Sequence, residues 1–338
     1  MRGDTKALQQ AKAVVRGFHA ALDAAPPEAA AEVCARHHAP GALWRGYHPF
    51  GEIAEPAEVG AQFWRPLRQA LRPIQRRLDV FIAGRNRMDG GAGIWVASMG
   101  HLMGLLDAPW LGIPPTGRIA MLRFCEFARV EGDRIAETAF FFDIPHLMMQ
   151  AGLNPFPPQT GAHLVQPGPA PHDGLCLAPQ DPAEGARTMA AIEAMITDLG
   201  QWNLGLPLEA ELARSWHDDM IWWGPAGIGA TYTIARYARQ HSGPFRRGLA
   251  DRSPTTHIAR IAEGHYGGFF GWPNFTARPV GGFMGLGAFH EPVEFRVIDI
   301  YRRQGDKLAE NWVFIDLLHV LAQMGMDVLA RMQELREW

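Results

Sequence analysis

Apolar residues recur at helical spacing over residues 5–23, where Leu8, Ala11, Val15, Phe18 and Leu22 share one face. Pro26 and Pro27 end that pattern. The spacing then predicts a short helix over 28–37, a strand over 42–46 and a helix over 57–71 interrupted near Pro66. Alternating apolar and polar positions predict strands over 74–84, 93–103, 118–130 and 134–142, and a helix starting at 144. Residues 153–183 change character: prolines at 155, 157, 158, 167, 169, 171, 179 and 182 leave little periodicity, which reads as a linker. Beyond it the pattern restarts. Helices are expected over 184–201, 208–214, 233–241 and 317–334, and strands over 220–223, 255–264, 266–277, 293–303 and 308–315. Helices followed by a run of antiparallel-type strands indicate an α+β architecture, not a parallel βαβ sheet.

The restart is a repeat. Residues 131–152 and 304–325 share nine identities at a constant offset of 173, among them Gly132/Gly305, Asp133/Asp306, Glu137/Glu310, Phe141/Phe314, Asp143/Asp316, His146/His319 and Gln150/Gln323. The front halves match at an offset of 178 through Arg36/Arg214, Trp44/Trp222, Gly46/Gly224 and Gly51/Gly229. Since 178 − 173 = 5, the first copy carries five net extra residues between 51 and 131, and the loop-like LLDAPWL at 105–111 is a candidate place for them. A period of this length means duplication of a whole domain. The expected organisation is module 1 over 1–152, a Pro-rich linker over 153–183 and module 2 over 184–338.

Composition narrows the function. A net charge of −3 gives no electrostatic case for nucleic acid or an anionic membrane. No apolar run reaches the ~18 residues of a membrane span, and the first residues show no signal peptide. Cys34, Cys125 and Cys176 are far apart and odd in number, which argues against a disulfide framework and for a cytoplasmic setting. Neither the Cys34, His37, His38 group nor His217-Asp218-Asp219 has a second ligand pair at metal-site spacing. No GxSxG occurs.

GHLMG at 100–104, GIPPTGR at 112–118 and FRVIDIYRRQGDKLAENWVFIDLLHVLAQMG at 295–325 resemble the SnoaL-like polyketide cyclase family of the nuclear-transport-factor-two-like superfamily. The resemblance implies two cone-shaped α+β barrel modules, each a curved mixed or antiparallel sheet wrapped around N-terminal helices. It implies a cofactor-free enzyme (no organic cofactor and no metal) acting on a small, largely apolar carbonyl compound by aldol-type cyclisation, isomerisation or hydrolysis. It also implies that Asp143 is the acid/base, His101 its partner and Asp316 the equivalent acid of the second copy. By the same analogy the two modules form an intramolecular pseudo-dimer, with a further homodimer optional. The second copy departs from the pattern: GLGAFH at 285–290 replaces GIPPTG, and no histidine matches His101. The first copy is therefore the expected catalytic one.

Alternation puts Glu137, Ala139, Phe141 and Asp143 on one face, and Glu310, Trp312, Phe314 and Asp316 on its counterpart. Trp44, His48, Phe141, Trp222, His265, Trp272, His290 and Trp312 are the candidate substrate contacts. Two readings of Asp143 and Asp316 compete. In a dry cavity each would have a raised pKa suited to proton transfer. Directly before a helix, each would instead be an N-cap. A rival to the enzyme reading is a non-catalytic hydrophobic small-ligand binding protein of the same fold.

Overall fold

The computed structural model describes residues 2–200 and 205–334, so Gln201, the last residue of the helix expected over 184–201, lies outside the described residues. The chain divides into two compact units: Met1–Pro155 with Ala170–Pro179 and Asp327–Trp338, and Phe156–Pro169 with Gln180–Met326. The Pro-rich stretch is thus shared between units.

In the first unit, helix Arg2–Ala24 buries Ala11, Val15, Phe18 and Leu22. That stripe follows from the spacing of the apolar residues. The strands are β1 (His38–Gly46), β2 (Gly51–Ile53), β3 (Leu71–Arg85), β4 (Ile94–Leu106), β5 (Ile119–Glu131) and β6 (Arg134–Phe142). They form one sheet in the order β2-β1-β6-β5-β4-β3, antiparallel except for the parallel pair β1 and β6. Between β2 and β3 the chain runs through helix Pro56–Val59, a π-turn at Gly60–Trp64 and helix Arg65–Ala70. Pro66 falls where the π-turn passes into that last segment.

The second unit repeats this plan. Its strands are β7 (Trp216–Trp223), β8 (Thr231–Tyr232), β9 (Leu249–Ala250), β10 (Ala259–Glu263), β11 (Tyr266–Pro279), β12 (Val293–Gln304) and β13 (Lys307–Ile315). The order is β10-β11-β12-β13-β7-β8, with β9 also on β11 and β13 parallel to β7. The place of β3 is thus taken by two strands, β9 and β10. Helix Pro182–Gly200 takes the place of the first helix, and a π-turn recurs at Ala238–Ser242. The hairpin glycines of the two copies, Gly132 and Gly305, have φ of +60° and +56°, a conformation glycine adopts without strain. The helix expected over 317–334 breaks into Leu317–Gln323 and Val328–Glu334, separated by Gly325 at φ +78°.

Two expectations are corrected. The modules are not a pair of cone-shaped barrels: the first sheet is neither closed nor strongly curled, and only the second bends into a half-barrel. Barrel closure needs the edge strands to meet. Among the described residues β2 does not pair with β3, nor β8 with β10, and the edge strands β2 and β8 are very short. The second correction concerns the extra length of the first copy. It lies mainly in the turn between β3 and β4, not at 105–111. Arg85 pairs with Ile94, so residues 86–93 form that turn, whereas Glu263 pairs with Tyr266 across Gly264 and His265 alone. The longer turn is built on Asp89, whose carboxylate accepts from the backbone N–H groups of Gly91, Ala92 and Gly93.

Candidate functional site

The registers align the two copies side chain by side chain. Trp44 pairs with Thr138 and Trp222 with Asn311; Phe124 pairs with Phe142 and Val297 with Ile315. In the first copy the space between helices and sheet is filled with rings. Phe63 lies 4.8 Å from Trp64, 5.4 Å from Phe140 and 4.9 Å from Phe142 between ring centroids, and Phe124 stacks on Phe140 at 5.3 Å. At the matching positions the second copy has His241 for Phe63, Ser242 for Trp64, Val297 for Phe124, Val313 for Phe140 and Ile315 for Phe142. All five replacements line a cavity of about 100 Å³. Close-packed interiors leave a void where large side chains give way to small ones and the backbone keeps its path.

The cavity wall is mixed. Met195, Ile196 and Leu199 come from helix Pro182–Gly200, Trp222 from β7, Phe245 from the segment after the π-turn, and Phe269 and Phe275 from β11. Among these apolar groups stand Tyr237, His241, Asn274, Asp299, Tyr301 and Asn311. Strand alternation explains the last three: Val297, Asp299 and Tyr301 share one face of β12 with Asn311, Val313 and Ile315 on β13. The Asn311 amide donates to Asp299 Oδ1 at 3.0 Å, and Tyr301 also hydrogen-bonds this carboxylate. Burial first, and then the negative charge of Asp299, push the Tyr237 and Tyr301 hydroxyls upward, so both remain protonated donors. His241 stacks on Trp222 with centroids 3.8 Å apart, and burial pushes its pKa down to about 3. Arg252, part-buried over the Phe275 ring at 4.7 Å, also lines the cavity.

The strand position of Asp299 holds Glu126 in the first copy, where it is enclosed by hydrogen-bond partners instead of lining a cavity. His19 Nε2 lies 2.7 Å from Glu126 Oε2, and Ser98 Oγ donates to the same oxygen at 3.0 Å. Burial alone would raise the Glu126 pKa; His19, Arg76 and Ser98 outweigh it and hold the carboxyl below its usual range. A groove of about 290 Å³ adjoins the segment around Gln240, Arg247 and Gly281–Gly285, but no buried polar side chain lines it.

Of the sequence-predicted residues, Trp222 lines this cavity. Asp143 is the N-cap of helix Ile144–Gln150 and accepts from His146 N–H at 3.0 Å, with Arg123 Nη1 3.9 Å from its other oxygen. Asp316 caps helix Leu317–Gln323 in the same way, accepting from His319 N–H at 3.1 Å. Asp316 is not in the cavity wall. Buried His101 faces Arg123 across the β4–β5 register and turns Nδ1 to Asp79 at 3.6 Å. Of the proposed substrate contacts, Trp222 lines the cavity. Trp44 packs on Phe50 and Phe63, Phe141 lies near Tyr47, and half-buried His48 sits in the turn after β1. Trp312 is on the opposite face of β13 and donates its indole N–H to Pro167 O at 3.1 Å. The Arg296 guanidinium covers Trp272 at 3.8 Å. His265 is exposed in the β10–β11 turn beside Glu184, and exposed His290 lies near Glu291. Among the described residues no cluster of three His, Cys, Asp or Glu side chains could hold a metal ion, and no helix is long and apolar enough to cross a membrane.

Reasoning from sequence missed Asp299, Tyr301, Tyr237, His241 and Asn274. The signal was present in FRVIDIY, where a lone acid interrupts an apolar strand, and in the repeat itself, which aligns His241 with Phe63.

A model of the SnoaL-like polyketide cyclase family matches residues 273–324. No curated protein matches the chain. Among solved structures, a SnoaL-like polyketide cyclase from Agrobacterium tumefaciens is 16% identical over 41% of this chain and 98% of its own, with a TM-score of 0.32. An NTF2-like protein from Burkholderia thailandensis is 19% identical over 42% of this chain and 95% of its own, with a TM-score of 0.30. TsrD from Streptomyces laurentii is 21% identical over 41% of this chain and 96% of its own, with a TM-score of 0.33. The chain resembles the SnoaL-like, nuclear-transport-factor-two-like group, and it carries the module in two tandem copies.

Proposed function

We propose that this protein binds a small, largely apolar molecule in the cavity of its second copy. One observation carries the reading. The ring cluster that fills the first copy is replaced there by His241, Ser242, Val297, Val313 and Ile315, leaving about 100 Å³ lined by aromatic and aliphatic side chains. An apolar cavity with a few polar groups is the usual form of a small-molecule site. Equilibrium dialysis with toluene and phenol tests it. Saturable uptake of either compound with one site per chain supports the reading, and the absence of saturable uptake of both contradicts it.

Catalysis is the second reading, and the carboxylate of Asp299 in the cavity wall favours it. The acid/base roles of Asp143, His101 and Asp316 have less support, because each aspartate has an oxygen committed to a helix N-terminus. If a turned-over compound is found, Asp299→Asn should abolish turnover; unchanged turnover with the fold intact would reject a base at this position.

A further inference from the structure

His241 is the polar group in the cavity that the fold explains least. It lies on the π-turn Ala238–Ser242, at the position where the first copy has Phe63. Phe63 packs on the rings of Trp44, Phe50 and Trp64 and has no polar group to satisfy. His241 lies 16° from parallel with Trp222 and 5.5 Å from both Tyr237 and Phe245. It is 7% exposed, and its Nδ1 has no hydrogen-bond partner among the described residues. Stacking alone would be served equally by phenylalanine. A buried, unpaired ring nitrogen is costly, and π-turns are frequent at functional sites.

We propose that His241 selects the ligand: the cavity takes a flat-ring compound bearing a hydroxyl, and the imidazole hydrogen-bonds that hydroxyl. The inference rests on the binding reading above. A neutral imidazole has one donor and one acceptor nitrogen, so it can serve a hydroxyl in either sense. The ring of the ligand has Trp222, Tyr237, Phe245 and Phe275 to pack against. Ring hydrocarbons bind without the selecting hydrogen bond.

The test compares phenol and toluene on the wild-type chain and on His241→Phe, by ligand-observed NMR titration. Phenol and toluene have nearly the same shape and differ in the hydroxyl. Wild-type protein should bind phenol about tenfold or more tighter than toluene, as expected of a site built to hydrogen-bond a hydroxyl. His241→Phe, which removes both ring nitrogens, should bring the phenol-to-toluene affinity ratio close to one. Equal affinity for phenol and toluene in the wild type overturns the inference while leaving the binding reading in place. So does a phenol preference that survives His241→Phe. If neither phenol nor toluene binds the wild type, the binding reading fails as well. The wild-type comparison does not depend on the variant folding.

Discussion

His241 stacks on Trp222 with ring centroids 3.8 Å apart, whereas their counterparts Phe63 and Trp44 meet at 5.3 Å and 38°. The same two positions of one ancestral module thus serve a cavity wall in one copy and a filled core in the other. Side-chain volume around these positions differs between the copies.

The filled copy should behave as an ordinary core. Phe140, fully buried between Phe63, Trp64, Phe124 and Phe142, has no room to be lost without a void. Phe140→Val should cost about 2 kcal/mol or more, read as a lower urea midpoint with the same slope. A change below about 0.5 kcal/mol would contradict the packing account.

The two aspartates should behave as caps. Asparagine caps a helix about as well as aspartate, whereas alanine does not. Asp316→Asn should leave stability and phenol binding near wild type, while Asp316→Ala should cost about 1 kcal/mol. Loss of binding in Asp316→Asn, with the fold intact by circular dichroism, would assign Asp316 a role in the site.

Stability should fall in acid. Burial pushes His241 and His257 down to about 3 and His38 down to about 4. In the unfolded chain each histidine takes up a proton below about pH 6.5, while the folded chain refuses it until its own lower pKa. Between those limits the unfolded state binds more protons, so stability rises with pH and levels off above about 6.5. His241→Phe removes one of these groups. It should flatten the dependence between about pH 4 and 6 by up to ~1.4 kcal/mol per pH unit, measured by urea titration at several pH values. An unchanged slope would mean that His241 is not held neutral.

Much of the strand plan could be read from alternation and the Gly-Asp turns, and the repeat could be read from identities such as Asp143/Asp316. The barrels could not: closure depends on how far a sheet curls and on the length of edges such as Thr231–Tyr232, which periodicity does not encode. The site was harder still. Sequence reasoning looked at residues the copies share, such as Asp316, but shared residues here hold a common frame, as the paired caps and the Gln150 and Gln323 bonds to β5 and β12 illustrate. The cavity arises where the copies differ, at Phe63/His241, Phe124/Val297 and Phe140/Val313. Alternation also put Trp312 and Phe314 on one face correctly as a pair. Which face meets the cavity depends on where the helices lie, and the lining residues are Asn311, Val313 and Ile315.

The central claim is that the second copy binds a ligand because it lacks the rings that fill the first. Calorimetric titration of phenol into the double variant Val297→Phe, Val313→Phe, beside the wild type, tests this directly, with melting curves as the check on folding. These substitutions copy Phe124 and Phe140 into the cavity. The account predicts one saturable site per chain in the wild type and none in the folded double variant. Binding of wild-type strength in the folded variant would contradict it.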